Sequence, residues 1–225
     1  MYHYVVILYI AASLSIFLPL GIGVYRYKSL QIEGKIIFGY LCLSFLIMEV
    51  VMWYTSLKSM QNHYLSNTFY PMEFLLLSSI YWISLKTPIY RKILLCVVIA
   101  IMIFVIGSNV INFDNFNRFN SIANSIIYLG LMFLVILYFY ELLKELHIVK
   151  LSTHPMFWIS VGIILYVSIS FFLFIFGEFV AFNKSKEISK LDPIIHSIAT
   201  IIFRIFLTLG LWFSKTPIQS NLSLK

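Results

Sequence analysis

Residues 155–181 read PMFWISVGIILYVSISFFLFIFGEFVA, an apolar run whose only ionisable side chain is Glu178, near its far end. Crossing the hydrocarbon core of a bilayer as a helix takes about 20 predominantly apolar residues. A soluble strand is much shorter, and a soluble helix of this length carries a polar face, which this run lacks. Lipid offers no hydrogen-bond partners, so the backbone must satisfy itself, and the run predicts a transmembrane α-helix.

Six further runs of the same kind lie outward from it, over 4–25, 36–57, 69–85, 93–111, 119–143 and 193–213. The expected fold is therefore all-α, a single polytopic domain of seven transmembrane helices over residues 1–225. The third run is the shortest; Pro71 suits a first helical turn there, and Trp82 an interfacial anchor. Composition agrees: 61% of residues are hydrophobic, 11% are charged and mean hydropathy is +0.93, whereas soluble domains carry about 25% charged residues. A soluble catalytic domain has no room in 225 residues so divided. The first run starts almost at Met1, with no basic stretch before it and no small-residue cleavage site after it, which predicts a retained helix and not a signal peptide.

Orientation follows from the 16 Lys and Arg residues. Alternate connections place Arg26, Lys28, Lys35, Lys86, Arg91, Lys92, Lys144, Lys150, Lys215 and Lys225 on one side, and Lys58, Arg118, Lys184, Lys186 and Lys190 on the other. Positive residues are retained in the cytoplasm, so the amino terminus is expected outside and the carboxyl terminus inside. The connection 182–192, with three of those lysines, runs against the bias. The net charge of +7 is spread over short loops with no single-face cluster, so it argues for membrane topology and not for nucleic acid. Cys42 and Cys96 read as small core residues within spans, and the many Tyr and Phe residues as interfacial anchors.

The informative side chains are polar ones inside apolar runs. A charge at mid-bilayer costs about 2.5–3.5 kcal/mol on insertion scales, so such residues normally face the bundle interior or water. Glu49 and Glu73 fall in the outer halves of the second and third runs, and Arg204 near the middle of the seventh, within side-chain reach of Glu49. His196, Thr200 and Arg204 recur every four residues on one helix face, as do Asn120 and Asn124. Asn109 and Glu178 close the fourth and sixth runs on the outer side. Two readings fit. Either Glu49 and Arg204 neutralise each other and hold helix register, or these residues line an outward-facing polar pocket. The sorting of polar groups by depth favours the pocket, whose residues are expected to be Glu49, Glu73, Asn120, Asn124, Glu178, His196, Thr200 and Arg204.

Catalytic readings find less support. Zinc needs three or four ligands at one depth; Glu49, Glu73 and His196 could offer three, but no second histidine shares the His196 face. Membrane hydrolases of the alkaline ceramidase type pair histidines in the last helix, where this chain has Thr200. Retinal would need a mid-span lysine in place of Arg204, and a transverse haem a second intramembrane histidine. No cofactor is expected, and no phosphate-binding loop or catalytic triad is present in the sequence. Transport remains an alternative, although neither an internal repeat nor a broken mid-membrane helix pair is evident.

The segments His63-Tyr64-Leu65, Tyr70-Pro71-Met72-Glu73-Phe74-Leu75-Leu76-Leu77-Ser78, Asn124-Ser125, Phe139-Tyr140-Glu141-Leu142-Leu143, Pro155-Met156-Phe157-Trp158-Ile159-Ser160-Val161-Gly162 and Leu209-Gly210-Leu211-Trp212 resemble an uncharacterised family of seven-helix membrane proteins from Bacteroidota. The resemblance runs from the second span to the seventh in order. It implies a bacterial inner-membrane protein, and similar seven-helix regions occur as sensory inputs to histidine kinases and other regulators. Family members often carry Asn at the positions of Thr200 and Arg204, so Arg204 is a departure, whereas Glu73 sits within the shared motif. The combined expectation is a receptor-like module that takes a small ligand or a membrane lipid from the outer side and signals to a cytoplasmic or membrane partner. A lipid-active membrane enzyme, a small-solute transporter and a structural subunit are the competing classes.

Overall fold

The computed structural model describes residues 2–58, 60, 62–111, 120–145, 151–182 and 188–214, with side chains throughout except at 2–4, 111, 145, 152, 176–182 and 188–190. The helices are α1 (Tyr2–Leu14), α2 (Phe17–Arg26), α3 (Ile32–Ser44), a π-helical segment (Phe45–Val51), α4 (Met52–Leu57), α5 (His63–Ser84), α6 (Pro88–Ile111), α7 (Ser121–Glu145), α8 (Pro155–Phe182) and α9 (Ile188–Phe213). No strand occurs among the described residues.

Six stretches are long and apolar enough to cross a membrane: Val5–Ser29, Ile32–Leu57, Pro88–Val110, Ser121–Lys144, Pro155–Ile175 and Leu191–Phe213. The exception among the long helices is α5, for which the sequence predicts a span over 69–85. The helix is 22 residues long, but Ser66, Asn67, Glu73 and Ser78 are buried along it. Helices α3, α6 and α7 and the π segment pack on α5, which leaves a narrow outward face with Met72, Leu75 and Trp82, so most of its surface meets protein and has less need to be apolar. The opposite case is α6, which presents Ile89, Leu95, Ile99, Ile103, Phe104, Ile106 and Val110 outward.

The helices close into a ring. The pair α1/α2 packs on α9, α2 also on α3, α3 on α5, α5 on α7, α7 on α8, and α8 along α9. The remaining helix, α6, lies outside against α5 and α7. With α1/α2 and α3–α4 each forming one span, contacts such as Asn120 with Ser108 and Asn109, and Gly210 with Ile159, run successive long helices antiparallel and define an amino end of the bundle, where Tyr2 lies, and a carboxyl end, where Phe213 lies.

At the carboxyl end the packing is tight. The turn between α5 and α6 is clamped from α7: the Glu141 carboxylate accepts the backbone N–H of Lys86 at 3.0 Å and of Thr87 at 2.7 Å. Pro88 follows as the first residue of α6, where its missing N–H costs nothing. Glycines bring backbones together at this end. A Cβ on Gly162 of α8 would stand 2.6 Å from Phe206 Cβ of α9, and one on Gly210 would collide with the Ile159 side chain.

Two interruptions mark the other half. Between α1 and α2 the chain turns at Ser15 and Ile16, and Pro19 explains it: without an N–H, Pro19 cannot donate to the Ser15 carbonyl, and its ring crowds that oxygen. In the second span the Met52 N–H reaches back to Ile47 O across the π turn that contains Glu49. The sequence shows no evident pair of broken mid-membrane helices; the structure has one break, at Ser15–Ile16, and a π-helical segment in the next span.

Three further expectations are revised. Pro71 is not in a first turn and Pro193 does not start its span, because α5 begins at His63 and α9 at Ile188, and both prolines lie inside their helices. Cys42 and Cys96 are exposed on the outside of the bundle, where a weakly polar thiol faces lipid as readily as a core. Several tyrosines expected at span ends are buried at mid-helix instead.

Candidate functional site

A cavity of about 670 Å³ occupies the amino-end half of the ring. Its wall takes residues from α1, α3, the π segment, the start of α4, the first half of α5, the start of α7, the middle of α8 from Tyr166 to Phe174 and α9 from Asp192 to Arg204. At its side stands Arg204, which is buried. One guanidinium nitrogen donates to Glu49 Oε1 at 2.7 Å. The other donates to the Ala12 carbonyl, and at 3.3 Å to both the Ser13 carbonyl and Ser15 Oγ.

These contacts follow from the break. A continuous helix would give Ala12 O the N–H of Ile16, but that N–H points to Ser13 O at 3.5 Å. In its place the Ala12 carbonyl accepts the Ser15 N–H at 3.2 Å, the Ser15 hydroxyl at 2.6 Å and Arg204. One cation thus joins the interrupted first span to the π segment of the second. An ion pair of this kind is retained only with good geometry and with further hydrogen bonds on the remaining donors, as here.

The two spans also part at this level. Phe17 of α2 and Phe45 meet edge to face at 5.5 Å. Toward the amino end, α1 leans on α9 and makes at most sparse contact with the π segment and α4. Tyr9, Ala12 and Ser13 on one side and Met48, Glu49 and Met52 on the other line the cavity there. Tyr9 both lines the cavity and is 58% exposed on the bundle surface. Exposed His63, Asp192 and Pro193 form its end-on rim.

The deepest acid is Glu73, 1% exposed and on the cavity wall. Its carboxyl oxygens accept the Tyr40 hydroxyl at 2.7 Å and the Tyr128 hydroxyl at 3.2 Å, and Tyr128 and Tyr166 oxygens lie 3.3 Å apart. Around it the aromatic rings form a closed circuit. Centroid separations are 6.4 Å for Phe69–Tyr40 and for Tyr40–Phe203, 4.7 Å for Phe203–Tyr166 and 5.9 Å for Tyr166–Tyr128. The circuit closes through Tyr128–Phe174 at 5.1 Å, Phe174–Tyr70 at 5.6 Å and Tyr70–Phe69 at 6.2 Å. Five helices contribute, and every member except Tyr128 lines the cavity.

Of the residues expected in a pocket, Glu49, Glu73, His196, Thr200 and Arg204 line this cavity. The Thr200 hydroxyl bonds back to the His196 carbonyl at 2.8 Å, and the His196 ring meets Tyr166 at 6.1 Å. Asn120 and Asn124 are not brought to the cavity. Asn120 caps α7, its Oδ1 accepting the Ala123 N–H at 3.1 Å while its Nδ2 donates to Ser108 Oγ and Asn109 Oδ1 at the end of α6. Asn124 is buried between helices. The Glu178 side chain and the connection 183–187 lie outside the described residues. Among the described residues, no three His, Cys, Asp or Glu side chains gather as a metal ion would require.

Sequence reasoning missed the tyrosine circuit and the carbonyls of Ala12 and Ser13. Signals existed for both. A phenol at mid-span, as at Tyr40, Tyr128 and Tyr166, needs a buried partner in a way that an interfacial tyrosine does not. Pro19 inside the first run announces a break in the helix about one turn earlier, at Ser15, next to the carbonyls that Arg204 reaches. Compared with known proteins, the chain matches no family model, no curated protein and no solved structure.

Proposed function

We propose that this protein is a receptor-like module of a bacterial inner membrane that binds an amphiphile in its cavity. Seven spans, with α5 as the third, would put the amino terminus outside and the cavity in the outer half of the bilayer. The observation that carries the reading is a mainly apolar cavity with Arg204 and Glu49 at its side, lined by exposed Tyr9 of the first span and by Met48 and Met52 of the second, which supports a side-facing gap between those spans. A lipid-like ligand would slide its headgroup past Met48 and Met52 to Arg204 while its chains stayed in the gap. Its polar groups would compete with Glu49 for Arg204. Because Arg204 holds both interrupted helices, that exchange would release them to a second arrangement, in the manner of a ligand that binds one of two states better. The carboxyl-end loops would carry the shift to a partner, as in the sensory regions the sequence resembles.

Native mass spectrometry in mild detergent tests the proposal. The expected result is one stoichiometric amphiphile per chain, lost in Ser13→Trp, which would plug the gap, and reduced in Arg204→Gln. A bare chain, or lipid retained equally by folded Ser13→Trp, would overturn it. A second reading is transport of the same amphiphile, favoured by the paired interruptions, since broken helices commonly form transporter sites. Ligand movement across proteoliposomes carrying the purified protein would select transport over sensing.

A further inference from the structure

The floor of the cavity differs in chemistry from its side. At the side, Glu49 and Arg204 balance each other at 2.7 Å. At the floor, the Glu73 carboxyl group has two neutral phenols as its hydrogen-bond donors, and it makes no ion pair among the described residues. Six of the rings about it line the cavity, and the face of an aromatic ring attracts cations. A carboxyl group and aromatic walls together select positive charge, and the shape of the site narrows the kind. A divalent metal ion takes six or more oxygen ligands or keeps its water, and the floor offers chiefly ring carbon. A primary ammonium wants three acceptors to replace its water, and the Tyr40 and Tyr128 hydroxyl protons are already directed at Glu73. An alkylated ammonium needs neither, because its charge is spread over methyl groups that pack against rings.

We infer that the cavity floor is a binding site for an alkylated ammonium group, seated among Tyr40, Phe69, Tyr166, Phe174 and Phe203 with Glu73 as its counter-charge. The inference rests on the amphiphile reading for what the cation is attached to, but the site itself would take the group from a lipid headgroup or from a free solute. The Arg204 side of the cavity complements such a headgroup, since an anionic or dipolar portion of the same ligand would face the guanidinium.

The test uses the full chain in a neutral maltoside detergent and isothermal titration at fixed ionic strength. Choline and its uncharged isostere 3,3-dimethylbutanol probe the free group. Dioctanoyl phosphatidylcholine and dioctanoyl phosphatidylglycerol probe the same chains with and without the cation. The expected result is a preference of about tenfold for the ammonium-bearing member of at least one pair, which Glu73→Gln abolishes by weakening that member and not its ammonium-free counterpart. Preference within the lipid pair alone identifies a lipid source, and preference within the choline pair a free solute. Phe203→Leu is the second variant, expected to weaken the cation severalfold should Glu73→Gln fail to fold. Equal binding within both pairs would overturn the inference while leaving the amphiphile reading intact. Binding of neither lipid would overturn that reading as well.

Discussion

Helices α8 and α9 behave differently at their two ends. Near the carboxyl end Gly162 and Gly210 let the backbones approach so closely that a Cβ on Gly210 would also come within 3.3 Å of the Pro155 carbonyl oxygen. Toward the amino end the same helices carry Tyr166, Phe174, His196 and Arg204, which meet through aromatic rings and line the cavity. Lipid supplies no hydrophobic drive for helices to associate, so contact must come from close packing or from polar groups that meet across the interface. The carboxyl end uses the first means. The amino end uses the second, and polar groups held apart by aromatic bulk leave space between them.

That contrast can be broken by substitution. The largest effect is expected for Arg204→Ala, which strands Glu49 and the carbonyls of Ala12 and Ser13. Unfolding in mixed detergent should show a loss of about 3–5 kcal/mol. In Glu49→Ala/Arg204→Ala the loss should fall well short of the sum of the two single losses, and strict additivity would mean that the pair is not coupled. Next, Gly210→Leu should cost about 1–3 kcal/mol by overpacking. Leucine at Thr200, on the cavity wall, should change stability by about 0.5 kcal/mol at most. Equal costs at the two sites, read from thermal unfolding, would erase the distinction between a packed end and an open one.

A smaller loss, about 0.5–2 kcal/mol, is expected for Glu141→Ala, since it uncaps α6 at Lys86 and Thr87. Hydrogen exchange should then rise at the α5–α6 turn and not at the cavity. The smallest effect concerns pH. His154, just before α8, is held below its ordinary value of 6.5, chiefly by burial. A histidine that binds its proton less readily when folded favours the folded state above about pH 6.5 and loses that contribution as pH falls. Stability of the wild type should therefore decline more between pH 7 and 5 than that of His154→Gln, as followed by thermal unfolding.

The polar face His196, Thr200 and Arg204 was legible in the sequence, because a spacing of four in an apolar run needs no partner to be recognised. So was the depth of Glu49 and Glu73. Asn120 and Asn124 show the limit of the same argument. They share a face and a depth with the cavity residues, yet Asn120 closes a helix end and Asn124 packs between helices. Periodicity reports which way a residue points along its own helix, and several helices stand in that direction.

What the sequence by itself determined is the solvent and the secondary structure. Long runs without a polar face can satisfy their backbones in lipid only as helices, and the few polar residues within them must turn away from it. Only the tertiary structure decided the partners. Arg204 meets Glu49 and not Glu73, and reaches carbonyls of the first span 192 residues away in sequence. Tyr40 and Tyr128 close on Glu73 from positions 33 and 55 residues distant. Such contacts depend on the order in which helices close the ring and on where a helix breaks, and neither is carried by the apolarity that made the helices recognisable.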